Sequence, residues 1–385
     1  GYTGEQNRIA VEMFEKAVEL DPEFALGWSR LSFAHNEMYW FWFDRTEERL
    51  ELSKAAVDRA LELAPDAADT HLALGWYYYH GLRQYEPALE QFELARKGLP
   101  NSSNLLLAIG AVQRRQGKFE EGAENIAAAA ELDPRTYSLA LEAGITYTAL
   151  RDFETAVRYL DRAISLSPDL PDAYGSKMGA VLLWRGDVEE FHRLMQTVEE
   201  RVSLTPALRG LLNVPVTLVP LLPDKYVSAI ADLQLSDAGR DTAGFFGLKA
   251  AVFEHLGEPD SARAHLETGL EWIESKIRVQ PEEPYYRSVY SLALAKLGRR
   301  EEAVREAKRA AELLPLSADA MDGPTYIFGL ADVYRINGQY DEAMYQLEIL
   351  LEIPNGVTAQ CLRIVPAWEQ LRDHPRYQKL VGGSV

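Results

Sequence analysis

Apolar residues recur along this chain at three- and four-residue spacings, broken by short polar turns, and the whole pattern returns at a period of about 34 residues. In one clear copy Ala143-Gly144-x-x-Tyr147 lies on one amphipathic stretch, Phe153, Ala156, Leu160 and Ala163 lie on the next, and Pro168 ends the unit. Another copy reads Ile109-Gly110, Gly117, Phe119, Gly122, Ile126, Ala129 and Pro134. Each copy predicts two antiparallel helices joined at a turn glycine. Helices approach closely only where side chains are small, so Gly or Ala recurs at contact positions and large residues fill the gaps. The closing proline lacks a backbone donor and stops the second helix. Asp66, Asn101 and Asp169 follow these prolines directly and are expected to cap the next helix.

The register can be followed through the chain. Ala10, Phe14, Ala17 and Pro22 are second-helix positions, so the first unit enters half-way and the chain reads as a fragment of a longer protein. The second unit opens on Trp28 and Leu31 and carries about nine extra residues around Met38 to Phe43. Six large apolar residues in succession cannot all lie on one helix face; an elongated first helix covering the start of the array is expected there. The third unit (Leu74-Gly75, Tyr78, Ala88, Phe92, Ala95, Pro100) has one residue inserted near Gly81, and a degenerate sixth runs through Tyr174, Gly179, Gly186, Phe191 and Met195. These units form an N-terminal array over 1–201. Over 202–244 the period is lost in a greasy stretch interrupted by Pro206, Pro215, Pro220 and Pro223. An apolar segment of this kind must pack against something. The pattern resumes over 245–354 through Gly257, Gly298 and Gly338, and residues 355–381 are suited to capping the last apolar face.

These repeats resemble the tetratricopeptide repeat (TPR) family. The resemblance implies an all-α, right-handed superhelical solenoid of helix pairs, of about eight to nine units, in which the first helices line a concave binding face. By that register the lining includes Phe33 and Asn36, then Trp76 and Tyr79, then Leu107, Arg114 and Arg115, and then Leu141 and Ile145. The lysines and asparagines with which some members clamp a C-terminal carboxylate are replaced here by Leu72, Trp76, Leu107, Ala111 and Leu141, so that activity is not carried over. Trp368-x-x-Leu371-Arg372, followed by Pro375-Arg376-Tyr377, and Asn7-Arg8-Ile9-Ala10 through Phe24-Ala25, are similar to the ends of TPR regions in bacterial signalling proteins with kinase, nucleotide-cyclase or winged-helix output domains.

Charge narrows the partner. The net charge of −19 repels phosphate backbones, so an apolar or cationic protein or peptide segment is expected and nucleic acid is not. Cys361 is the single cysteine, so neither an intrachain disulfide nor a cysteine metal site is available. The seven histidines show no metal-binding spacing, and no phosphate-binding or dinucleotide fingerprint appears. Glu120-Glu121, Glu189-Glu190 and Glu301-Glu302 fall at the starts of second helices, where carboxylates meet the positive end of the dipole. No catalytic residue, metal or cofactor is therefore expected, nor any membrane insertion, and the cytoplasm is the expected compartment. The reading is a non-enzymatic scaffold, with two alternatives: a ligand-sensing domain acting on an output domain, or a groove occupied by residues 204–222 of the chain itself.

Overall fold

The computed structural model describes residues 4–202, 216–238 and 241–382, and every regular element among them is helical. Pro206, Pro215 and the rest of 203–215, which include most of the segment expected to occupy the groove, lie outside the described residues. The helices pair as the repeat demands, giving an all-α solenoid of antiparallel hairpins that divides into two compact units, 1–134 and 135–385.

In the first unit α1 (Gly4–Leu20) packs on α2 (Ala25–Trp40), and α2 pairs with α3 (Glu47–Leu63). α4 (Ala68–Trp76) continues into a π-helical turn, Tyr77–Gly81, and pairs with α5 (Tyr85–Arg96), while α6 (Ser103–Arg115) pairs with α7 (Phe119–Leu132). The burial pattern of α7, with Phe119, Gly122, Ala123, Ile126, Ala129 and Ala130 turned inward, is the three-four spacing of the sequence made physical. A methyl added to Gly110 would lie 2.6 Å from the Gly122 carbonyl oxygen, and one on Gly122 would lie 2.8 Å from that of Gly110. The two backbones touch, which only glycine allows.

The inserted residue near Gly81 is absorbed by the π turn, which widens the helix by one residue and leaves both flanks in register. Around Met38 to Phe43 the elongated helix is corrected: α2 stops at Trp40 and the chain reverses at Trp42, a left-handed residue with φ 62°. The reversal distributes side chains that one face could not hold. Met38 enters the core with Val11 and Ala56, Phe43 packs on Gly4, and Arg45 lies 4.8 Å and 4.4 Å from the ring centroids of Tyr39 and Trp42. The capping expectation is also corrected. Ser102, not Asn101, accepts from the Leu105 amide at 3.3 Å, and the residues at the caps of α4 and of Pro171–Arg185 are Ala67 and Leu170, which make no side-chain cap. The turn after each proline is longer than assumed, which leaves Asp66 and Asp169 outside the helix.

The second unit runs α8 (Tyr137–Ala149), α9 (Phe153–Leu166), α10 (Pro171–Arg185), α11 (Val188–Val202), a 3-10 turn (Val216–Leu221), α12 (Asp224–Asp232), a second 3-10 turn (Leu235–Asp237), α13 (Thr242–His255) and α14 (Pro259–Val279). It continues through α15 (Pro284–Lys296), α16 (Arg300–Leu313), α17 (Gly323–Ile336), α18 (Tyr340–Glu352), α19 (Ala359–Ile364), a third 3-10 turn (Pro366–Leu371) and α20 (Pro375–Gly382). The Val216–Leu221 turn of the proline-interrupted stretch packs against α13 and the Pro366–Leu371 turn, burying Thr217 and Val219. Trp368, Leu371 and Tyr377 bury against Met344 and Leu347 of α18, covering the last hairpin.

The same C-terminal segment also returns to the start of its unit. The Arg151 guanidinium donates to four carbonyls, those of Leu351 (2.7 Å), Leu350 (3.1 Å), Ile353 (2.9 Å) and Val357 (2.9 Å). The Asn355 amide donates to the Ala149 carbonyl at 2.8 Å, and the Thr358 hydroxyl to that of Leu183 at 2.6 Å. Leu350 and Leu351 belong to the last turn of α18, whose carbonyls have no partner within the helix. Arg151 supplies both the missing donors and a cation at the negative helix end.

Candidate binding surface

The first helices of the first unit bring their large side chains into one layer. Phe33 of α2 meets Trp76 edge-on at 5.6 Å, and Trp76 stacks on Tyr79 at 5.6 Å. Trp40 at the end of α2 stacks on His80 with 4.4 Å between centroids and 8° between planes, and lies 5.3 Å from Tyr79. The π turn makes this possible: by widening the helix it brings Tyr79 and His80 beside Trp76, all three facing α2.

From α6, Arg115 completes the layer. Its Nε donates to the Tyr79 hydroxyl at 2.8 Å, and its guanidinium lies 4.8 Å from the Trp40 ring. A delocalised, weakly hydrated cation held over aromatic faces is well suited to such a place. Nδ1 of His80 lies 3.3 Å from Glu37 Oε1. Below the layer a polar group is formed by His35, Arg49 and Asp44: Arg49 bonds His35 Nδ1 at 2.9 Å and Asp44 Oδ2 at 2.7 Å. Burial and the adjacent Arg49 push the His35 imidazole down to about 4, so it is neutral and accepts from Arg49.

The structure brings together Phe33, Trp76, Tyr79 and Arg115. Trp76, Tyr79, Arg114 and Arg115 are buried, as is Asn36, whose side chain faces the π turn near Gly81. Phe33, Trp40 and Leu107 remain half-buried. Leu141 and Ile145 belong to the second unit; Leu141 is buried with Phe153, Leu160 and Ala180, and Ile145 packs at the edge of that cluster.

Sequence reasoning missed Trp40 as part of the layer and Arg151 as the tie of the second unit. A signal for Arg151 was present. The turn position of the hairpins is left-handed and is filled by Gly117, Gly186, Gly257, Gly298 and Gly338, but by Arg83 and Arg151 in two hairpins, at φ 53° and 63°. A side chain kept where the backbone favours glycine has another task. Among the described residues no group of three or more His, Cys, Asp or Glu is placed to hold a metal, and no helix is long and apolar enough to cross a membrane.

Residues 107–171, α6 to the start of α10, match the family described as tetratricopeptide repeat. The fold is similar to that of YrrB, described as a TPR protein with an unusual peptide-binding site, at 19% identity over 50% of this chain and 93% of that one, with a TM-score of 0.35. It is similar to a human IFIT1 dimer with PPP-AAAA at 16% identity over 81% of this chain and 70% of that one (TM-score 0.46), and to MamA at 17% over 45% and 91% (TM-score 0.35). No curated protein is significantly similar in sequence.

Proposed function

We propose that the chain is a non-enzymatic scaffold that binds a protein or peptide segment along the first-helix face of its first unit, a reading supported by the tetratricopeptide repeat match over residues 107–171 and by the helix pairing of the chain. One observation carries the reading: Phe33 and Trp40 remain half-buried over an aromatic and arginine layer already fixed by internal contacts. A preformed layer lets a partner's apolar side chain dock without ordering the receptor first. The acidic chain favours cationic flanks on that segment. On the same reading it serves as the recognition part of a larger bacterial signalling or regulatory protein in the cytoplasm, supported by the resemblance of its two end segments.

An array of immobilised overlapping peptides tests the reading, probed with the chain and with Phe33→Glu and Leu107→Glu. The parent is expected to select peptides with apolar anchors and basic flanks, and both variants to weaken that binding at least tenfold with unchanged far-UV circular dichroism. Equal binding by the variants overturns it. A second reading, ligand sensing with a change transmitted to an output domain, is supported by the strained Arg151 tie; a metabolite thermal-shift screen that leaves the chain unmoved counts against it.

A further inference from the structure

Within the second unit, α10, the Val216–Leu221 turn, α17 and the C-terminal segment line a pocket of about 290 Å³ that opens to solvent on one side, where Gly179 and Thr325 are exposed. Leu182, Leu218, Phe328, Leu350, Val365 and Trp368 form most of its wall, and no charged side chain lines it. Its one amide side chain is already committed: Asn355 Nδ2 donates to the Met321 carbonyl at 2.6 Å. An apolar wall left facing solvent forfeits the burial and dispersion contacts that a guest would supply.

The glycines supply a probe of the pocket. In the helices of this chain they mostly mark contacts: a methyl on Gly75, Gly110 or Gly144 would meet a neighbour at 2.3 Å, 2.6 Å or 2.5 Å. On Gly175 or Gly179 of α10 it would meet nothing within 4 Å. Of these two Gly179 lines the pocket, and it is exposed at the mouth, so a larger side chain there would project over the opening without displacing a neighbour.

We propose that this pocket is a binding site for a neutral, largely hydrocarbon small molecule, of the size of a bicyclic aromatic ring. An apolar cavity of roughly 150 Å³ holds benzene; by proportion this one takes on the order of ten to twelve heavy atoms. An ionised ligand is disfavoured because no charged side chain of the wall would pair with it. Phe328 and Trp368, edge to face at 5.6 Å, offer a ring edge and a ring face to an aromatic guest. The proposal concerns a different unit from the peptide-binding reading and stands or falls separately.

The probes are indole and 1-naphthol, with naphthalene-1-sulfonate as the charged control. Cys361 lines the pocket and is the only cysteine, so its modification by methyl methanethiosulfonate reports occupancy directly. In the parent chain millimolar indole or 1-naphthol should slow the modification at least fivefold and raise the melting temperature, and the sulfonate should do neither. Gly179→Leu, which places a side chain over the mouth, should weaken both effects. Absence of protection by both neutral probes in the parent overturns the proposal, a result that does not depend on how any variant folds. Equal protection in a folded Gly179→Leu chain, or protection by the sulfonate, overturns it as well.

Discussion

Arg151 shows how much one residue can carry in a repeat protein. Its backbone is left-handed, where most other hairpins use glycine, and its guanidinium serves four carbonyls at once. Arg151→Ala should lower stability by about 3 kcal/mol in chemical denaturation, from the lost charge-assisted bonds. Arg151→Gly should recover about 1 kcal/mol of that, because glycine releases the backbone strain while the bonds remain lost. Stability in the order Arg, Gly, Ala is the expected result; Ala above Gly would show that the turn is unstrained. His35 gives the pH dependence. Its folded value of about 4 lies below the ordinary value near 6.5, so at intermediate pH the unfolded chain binds more protons at this ring. The contribution is fully present above about pH 6.5 and is lost as pH falls toward 4, with a slope of up to about one proton. Denaturation of His35→Gln across that window should show a shallower pH dependence than the parent. Neither residue was marked by hydrophobic periodicity, because both act through polar contacts to sequence-distant or hidden groups; only the break in the glycine pattern pointed to Arg151.

At the scale of the helix and the hairpin, the sequence was most legible where small residues have a steric reason. Gly110 and Gly122 touch backbone to backbone, which is why the repeat could be read from them. Gly110→Ala should destabilise by about 2 kcal/mol through forced separation of α6 and α7, although alanine alone would favour the helix by about 1 kcal/mol. Gly175 in α10 has nothing within 4 Å of an added methyl, so Gly175→Ala should stabilise by about 0.5 to 1 kcal/mol. Thermal melts of the two variants should therefore shift in opposite directions. The π turn was legible only as an inserted residue: spacing revealed the extra position, but its consequence, bringing Tyr79 and His80 beside Trp76, depends on how a helix widens to accept it. Deleting Tyr78 should leave the flanking helices in register and remove the Trp40–His80 stack, seen as a changed near-ultraviolet circular dichroism spectrum with helicity retained. The end of α2 was misread for a related reason, since a run of large apolar residues shows that one face is insufficient without showing where the chain will turn.

Across the whole chain the class of fold and the helix pairing followed from the repeat, whereas the return of the C-terminal segment to α8 and α10 did not. Repeat arithmetic describes neighbours, and the bonds from Arg151, Asn355 and Thr358 join residues that the period never places side by side. Hydrogen exchange should make the distinction visible. In Arg151→Ala the amides of α10 and of residues 355–365 should lose protection together, while those of 4–134 keep theirs; loss confined to the 151 turn would show that the tie is not cooperative. The tie also bears on synthesis. Arg151 leaves the ribosome 200 residues before the Leu351 carbonyl that it binds. At about 5 to 20 residues per second that delay is on the order of ten to forty seconds. Throughout it the carbonyls that will receive the guanidinium do not yet exist, and the α10 surface destined for residues 355–365 stays uncovered. A chaperone that holds nascent chains would find its window there, opened by a single arginine waiting for its acceptors.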